Sequence, residues 1–182
     1  MARNTRHNVP KRRKREQKTN YKKRLTLLKK RSPRLVVRIS NKYIFAQLVE
    51  YNPDGDKTIM SFSSKGLKKY GWEYSFKNVP AAYLTGRMIA GKIIEKGIKN
   101  AVLDIGMNSF SFRFKAVLKG IIDQGLDVPH GEKTEFPDEL HLKGETITAY
   151  MKNKKSTAQF SSYKNNNITK KFDDIIKKIE GK

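Results

Sequence analysis

Residues 34–63 read RLVVRISNKYIFAQLVEYNPDGDKTIMSFS, and the alternation of side chains along them decides the fold. In Arg34 to Asn41, Leu35, Val37 and Ile39 share one face of an extended chain, and Arg34, Val36, Arg38 and Ser40 share the other. Successive side chains of a strand point to opposite sides, so this is the pattern of a strand buried on one face. Tyr43 to Tyr51 and Lys57 to Ser63 are two further β-rich runs, separated by NPDGD, whose Pro, Asp and Gly favour a tight turn. Three antiparallel strands in a meander follow. Asp54 and Asp56 do not make a calcium loop, which needs more oxygen ligands than this segment holds, so turn chemistry accounts for them. Phe45 is assigned to the core.

Downstream the period changes from two to between three and four. Pro80 can sit in the first turn of a helix running to about Gly97, where its missing N–H costs nothing. Ala82, Gly86, Ile89, Ala90, Ile93, Ile94 and Gly97 fall on one face of it. Gly86 and Gly97 on that face suggest close approach to a sheet, and Gly97 is equally a helix stop. Ala101 to Gly106, AVLDIG, reads as a short buried strand. A second helix from Phe112 to Gln124 turns Phe114, Val117, Leu118 and Ile121 inward and Lys115, Lys119 and Asp123 outward. Residues 127–145, with Pro129 and Pro137, read as a long polar loop. Ile168, Phe172, Ile175, Ile176 and Ile179 form the stripe of a last amphipathic helix, with Thr169 as its N-cap.

Upstream of the strands the chain changes character. The first 33 residues carry fourteen Lys and Arg against one acid, Glu16, and their only large aliphatic cluster is Leu25, Leu27 and Leu28. So basic a segment buries too little apolar surface to offset its ordering entropy, and a disordered arm that waits for a polyanion is expected. The remaining 149 residues hold 26 bases against 16 acids, within a formal net charge of +23 for the chain. Basic side chains near Tyr21, Tyr43 and Phe45 combine charge with stacking, the pairing that holds nucleic acid, and unpaired RNA in particular. The organisation expected is an arm over 1–33, an α/β core over 34–126 and a loop and helical C-terminal extension over 127–182.

The 182 residues include no cysteine, which excludes disulfides, thiol nucleophiles and Cys-based zinc sites. No apolar run approaches the roughly 20 residues of a membrane span, and the arm lacks the apolar segment of a signal peptide. A cytosolic protein is the default. The blocks of Lys and Arg fit a mitochondrial transit peptide poorly, and KRRKR at Lys11 to Arg15 has nuclear localisation as its bland reading. His7, His130 and His141 stand in no catalytic or metal-ligating spacing. Asp104, at the end of a buried strand, is the one residue that tempts a nuclease reading, but two-metal chemistry needs several converging carboxylates. A cap or salt bridge is the expected role. Neither a cofactor nor a metal is expected.

Several strings in order, YKKRLTLLKKRSPRLVVRISNKYIFAQLVEYNPDGD (21–56), YGWE (70–73), NVPAAYLTG (78–86), AVLDIG (101–106), LKGIIDQGLDVPH (118–130) and QFSSYKNNNITKKF (159–172), resemble one family. It is the large-subunit ribosomal protein family that binds 5S rRNA, universal number eighteen, in its archaeal and eukaryotic branch. The resemblance implies a mixed-sheet α/β domain of ribonuclease-H-like topology without the nuclease site. It implies a structural role in the cytoplasmic ribosome, attaching 5S rRNA to large-subunit rRNA in the central protuberance beside neighbouring ribosomal proteins. By position the RNA contacts fall on Lys11, Arg12, Arg13, Lys14, Arg15, Tyr21, Lys22, Lys23, Arg24, Arg34, Arg38, Asn41 and Lys42. The alternative is an RNA-processing nuclease of the same topology. Ile39 and Phe45 stand where relatives often have bases, and Ser111 and Lys115 interrupt a usual Gly and Phe.

Overall fold

Period-two alternation is realised in β1 (Arg34–Ile39), β2 (Ile44–Glu50) and β3 (Lys57–Ser63) of the computed structural model, which describes residues 9–153 and 167–181. His7 and most of the tail at 159–172 lie outside the described residues. The strands pair antiparallel in the expected meander, β1 with β2 through Arg34↔Val49 to Ile39↔Ile44, and β2 with β3 through Phe45↔Ser63 to Glu50↔Lys57. A register irregularity lies at Leu48/Val49. β4 (Val102–Asp104) joins β1 in parallel, with Val36 opposite Asp104, and the sheet order is β3-β2-β1-β4. One face carries Leu35, Val37, Ile44, Ala46 and Leu48, all fully buried. The other carries Arg34, Val36, Arg38, Phe45 and Gln47.

A single long helix, α3 (Val79–Glu95), covers the apolar face. The Asn78 side chain caps it by accepting from the Ala81 N–H at 2.9 Å, and Pro80 lies in its first turn. Every residue from Pro80 to Gly86 is buried, because α3 is enclosed by the sheet on one side and by α4 (Phe112–Asp123) and α7 (Ile168–Glu180) on others. Phe114, Val117, Leu118 and Ile121 of α4 are buried as expected, and Lys119 pairs with Asp123 at 2.8 Å on its outer side. The close approach signalled by Gly86 is to α4 rather than to the sheet. A Cβ on Gly86 would run into the Val117 carbonyl, and one on Gly120 into the Tyr83 carbonyl, so the two helices cross backbone to backbone. Gly97, at φ 78°, has no such neighbour and is the helix stop. Ile94, expected on the packed face, is exposed and lines an open hollow with Gly91, Gln124 and Ile179.

The C-terminal part belongs to the same core. Ile168, Phe172 and Ile175 of α7 are buried, and the Phe172 ring lies 5.7 Å from that of Tyr83 on α3. The N-cap of α7 is Asn167 rather than Thr169. The expected loop at 127–145 ends in a short helix, α5 (Glu139–Lys143), followed by α6 (Glu145–Asn153). Leu142 of α5 is buried in the core, and Gly144, left-handed at φ 80°, makes the turn between them. α5 docks on α3, and α6 packs against α5 and α7.

The largest departure is in the arm. Its described part, from Val9, holds two helices, α1 (Arg12–Arg15) and α2 (Tyr21–Lys29), where disorder is expected from composition. Neither buries a residue, so polar contacts with the body replace the missing apolar burial.

Candidate nucleic-acid interface

Asn20 starts α2, its side-chain oxygen accepting from the Lys23 N–H at 3.0 Å. Arg13 Nε donates to Thr19 Oγ1 at 2.9 Å and ties α1 to the turn that precedes α2. Gln17 (φ 52°) and Arg31 (φ 54°) take the left-handed conformation, marking the two reversals that fold the arm back on the body. The arm thereby lies over the outer face of the sheet. Lys23 Nζ donates to the Gly106 carbonyl at 3.1 Å, and Arg24 Nη2 to Asp56 Oδ2 at 2.8 Å.

Between arm and sheet lies a cleft of about 310 Å³, lined by Arg13, Lys18, Lys23, Arg24, Arg34 and Arg38 against only two carboxylates, Asp56 and Asp104. Its apolar floor includes Val36 and Val49 from the sheet and Leu27 from α2. Low-dielectric walls lined with one sign of charge concentrate the field at the mouth, which draws in anions. The two carboxylates do not neutralise the whole cleft: Asp56 is shared by Arg34 and Arg24 and Asp104 by Arg34 and Arg38, two acids against six bases. The Arg34 side chain is only 4% exposed; its Nη1 donates to Asp104 Oδ2 at 3.1 Å and its Nη2 to Asp56 Oδ2 at 2.6 Å.

Arg34 lies on the outer face of β1 as the alternation places it, but it is buried there. Burial and two carboxylate partners give it an internal role, and it offers no free face to a phosphate. Arg38, four residues on, is 43% exposed: its Nη1 donates to the Asp104 carbonyl at 2.7 Å, and Nη2 lies 3.5 Å from Asp104 Oδ1. Lys11, Arg12, Arg13, Lys14 and Arg15 are exposed, with Lys11 Nζ 4.9 Å from the centre of the half-buried Tyr21 ring. Lys22 is exposed and, with Lys14, Tyr21 and Met107, lines a second depression of about 260 Å³ beside the cleft. Asn41 and Lys42 are exposed in the β1–β2 turn and line neither hollow. Phe45, expected in the core, is 41% exposed, its ring 6.4 Å from that of Tyr43, which lies 5.8 Å from Phe76. Strict alternation along β2 explains this: with Ile44, Ala46 and Leu48 inward, Phe45 must point out.

Asp104 has the structural role expected of it. Besides the two arginines, its Oδ1 accepts from the Gly106 N–H at 2.8 Å. No cluster of three or more His, Cys, Asp or Glu side chains able to hold a metal occurs among the described residues. His130 Nδ1 lies 2.9 Å from the Val128 carbonyl, a local contact within the loop. Likewise, none of the described helices is long and apolar enough to cross a membrane.

A basic cleft on a mixed α/β body, with no assembled catalytic group among the described residues, suits an RNA-bound structural protein. Comparison with known proteins decides which. Residues 5–100 match the family described as ribosomal large subunit proteins 60S L5, and 50S L18. The chain belongs to this family. It is 42% identical to the large ribosomal subunit protein uL18 of Korarchaeum cryptofilum, covering 98% of this chain and 97% of that one. It is 41% identical to the uL18 protein of Haloquadratum walsbyi (99% and 88% covered) and 42% to that of Natronomonas pharaonis (99% and 98%). As a member of the family it is a structural, rRNA-binding constituent of the large ribosomal subunit and not an enzyme.

Asp56 is the residue of the interface that sequence reasoning missed. A signal for it existed. Val49 pairs with both Arg34 and Thr58, and alternation puts Asp56, two before Thr58, on the same outer face as Arg34. Gly106, whose carbonyl receives Lys23, carries no such signal, since its contact spans 83 positions.

Proposed function

We propose that the chain binds 5S rRNA through the arm and the outer face of the sheet, and so attaches it to large-subunit rRNA in the central protuberance. The observation that carries this reading is the cleft between α2 and the sheet, with six bases from two parts of the chain around two internally used carboxylates. Phosphates supply the charge such a cleft selects, and Lys11 to Arg15, Lys22, Lys23 and Arg38 are the side chains placed to meet them. Tyr21 at the arm helix, and Asn41 and Lys42 in the β1–β2 turn, extend the contact. The exposed Phe45 ring adds a surface on which an unpaired base can stack. Arg34 acts from beneath, by holding Asp104 and Asp56 in place.

The sheet order β3-β2-β1-β4, with its parallel β1/β4 pair, supports the ribonuclease-H-like reading of the topology. On this reading residues 1–33 are the RNA-binding arm, 34–126 the α/β core and 127–182 an extension whose Leu142, Ile168 and Phe172 help to complete that core.

The test is a binding titration with 5S rRNA and, at equal salt, with tRNA. If roughly 6–10 phosphates are neutralised, affinity for 5S rRNA falls about 10³- to 10⁵-fold between about 50 and 200 mM salt on a duplex-DNA calibration. 5S rRNA is bound more tightly than tRNA throughout. Equal affinity for the two RNAs would leave only a generic polycation and overturn the assignment.

A further inference from the structure

Asp56 closes the NPDGD turn, yet its Oδ2 is where two guanidinium groups meet: Arg24 from the arm at 2.8 Å and Arg34 from β1 at 2.6 Å. The carboxylate is 23% exposed. Helix α2 buries no residue of its own and has nine residues, below the length at which isolated helices hold together in water. Its order therefore depends on what it touches. Those contacts include Arg24 to Asp56, Lys23 Nζ to the Gly106 carbonyl, Leu27 against the cleft floor, and a hollow that Leu25 and Leu28 share with Tyr51 and Pro53. Of these, only the first joins opposite charges.

The same carboxylate keeps like charges together. Without it, Arg24 and Arg34 would face one another, and Asp104 already serves Arg34 and Arg38. Arg34 has no slack either, because its buried Nε meets no acceptor among the described residues. We propose that Asp56 is a positioning residue, a latch that docks α2 on the sheet and so builds the basic cleft before RNA arrives. A preformed cleft spares the bound state the entropy of ordering Lys23, Arg24 and their neighbours. The effect on RNA affinity rests on the function proposed above. The latch itself does not.

Amide hydrogen exchange on the RNA-free full chain tests the docking directly. Asp56→Asn is expected to lower protection of the α2 amides about tenfold or more, as for a short helix left alone, with the α3 amides unchanged. Asp56→Glu restores most of it. Arg24→Ala, which leaves the Asp56–Arg34 pair in place, lowers α2 protection in the same way and decides the matter should Asp56→Asn fail to fold. In 5S rRNA titrations Asp56→Asn binds about tenfold more weakly, the cost of ordering a few side chains on binding. That sign is diagnostic, since the variant loses a negative charge and simple electrostatics predicts tighter binding. Unchanged α2 protection in either variant, or equal or tighter binding by Asp56→Asn, would overturn the latch. Failure of the wild type to bind 5S rRNA would count against the proposed function, and the exchange result would then decide the latch alone.

Discussion

Asp104→Asn should destabilise the fold, and the size of the effect follows from its surroundings. The carboxylate is 10% exposed and Arg34 only 4%, their atoms 3.1 Å apart. Removing one partner of a buried ion pair leaves the other charge uncompensated and costs about 3–5 kcal/mol. Two features soften this here. Arg34 keeps Asp56 at 2.6 Å, and an asparagine oxygen can still accept the Gly106 N–H. A loss of about 2–3 kcal/mol is therefore expected. For a chain of this length each kcal/mol moves the melting temperature by roughly 2–4 °C, so Tm should fall by about 5–10 °C. Thermal unfolding followed by far-UV dichroism measures it. The double variant Arg34→Met/Asp104→Val should recover part of the loss, because apolar groups of roughly similar volume replace both charges. A drop below about 2 °C, or no recovery in the double variant, would refute the claim that this pair is buried and coupled.

Two further outcomes are expected. Burial, reinforced by a hydrogen bond to Asp123 at 2.9 Å, pushes the Tyr83 hydroxyl up to about 12. The stability this contributes is complete below the unfolded pKa of about 10 and is lost as pH rises from there through about 12, so wild-type Tm should fall more steeply than that of Tyr83→Phe across that window. Parallel pH profiles for the two proteins would count against it. Gly120→Ala places a methyl group against the Tyr83 carbonyl, forcing α3 and α4 apart at a cost of about 1–3 kcal/mol in denaturant melts. Gly91→Ala, also in a helix but close only to the Gln124 side chain, should instead be neutral or stabilising by up to about 1 kcal/mol. If both glycine variants shift stability equally, the helix crossing is not as tight as described.

Much of this architecture could be read along the chain. The alternation in RLVVRIS, the turn residues of NPDGD and the three-to-four spacing of α3, α4 and α7 are properties of consecutive residues, and burial of one face suffices to turn each into its element. Phe45 was legible too. Its ring points outward by the same alternation that buries Ile44 and Ala46, and assigning it to the core set hydrophobicity above period.

Contacts between distant parts of the chain could not be read in this way. The charge of the arm marks a polyanion partner, but the docked α2 exists because Arg24 meets Asp56 thirty-two positions away and Lys23 meets Gly106 eighty-three positions away. The parallel pairing of β1 with β4 takes Arg34 out of the exposed set by bringing Asp104 beside it. The glycine at 86 announces a close approach, and only the folded chain shows that α4 is its partner. The sequence by itself determined the strands, the core helices and the sign of the ligand, since each depends on local pattern or on composition. Which charges remain free to meet that ligand was decided by tertiary structure, because a buried carboxylate cancels a base only at contact distance.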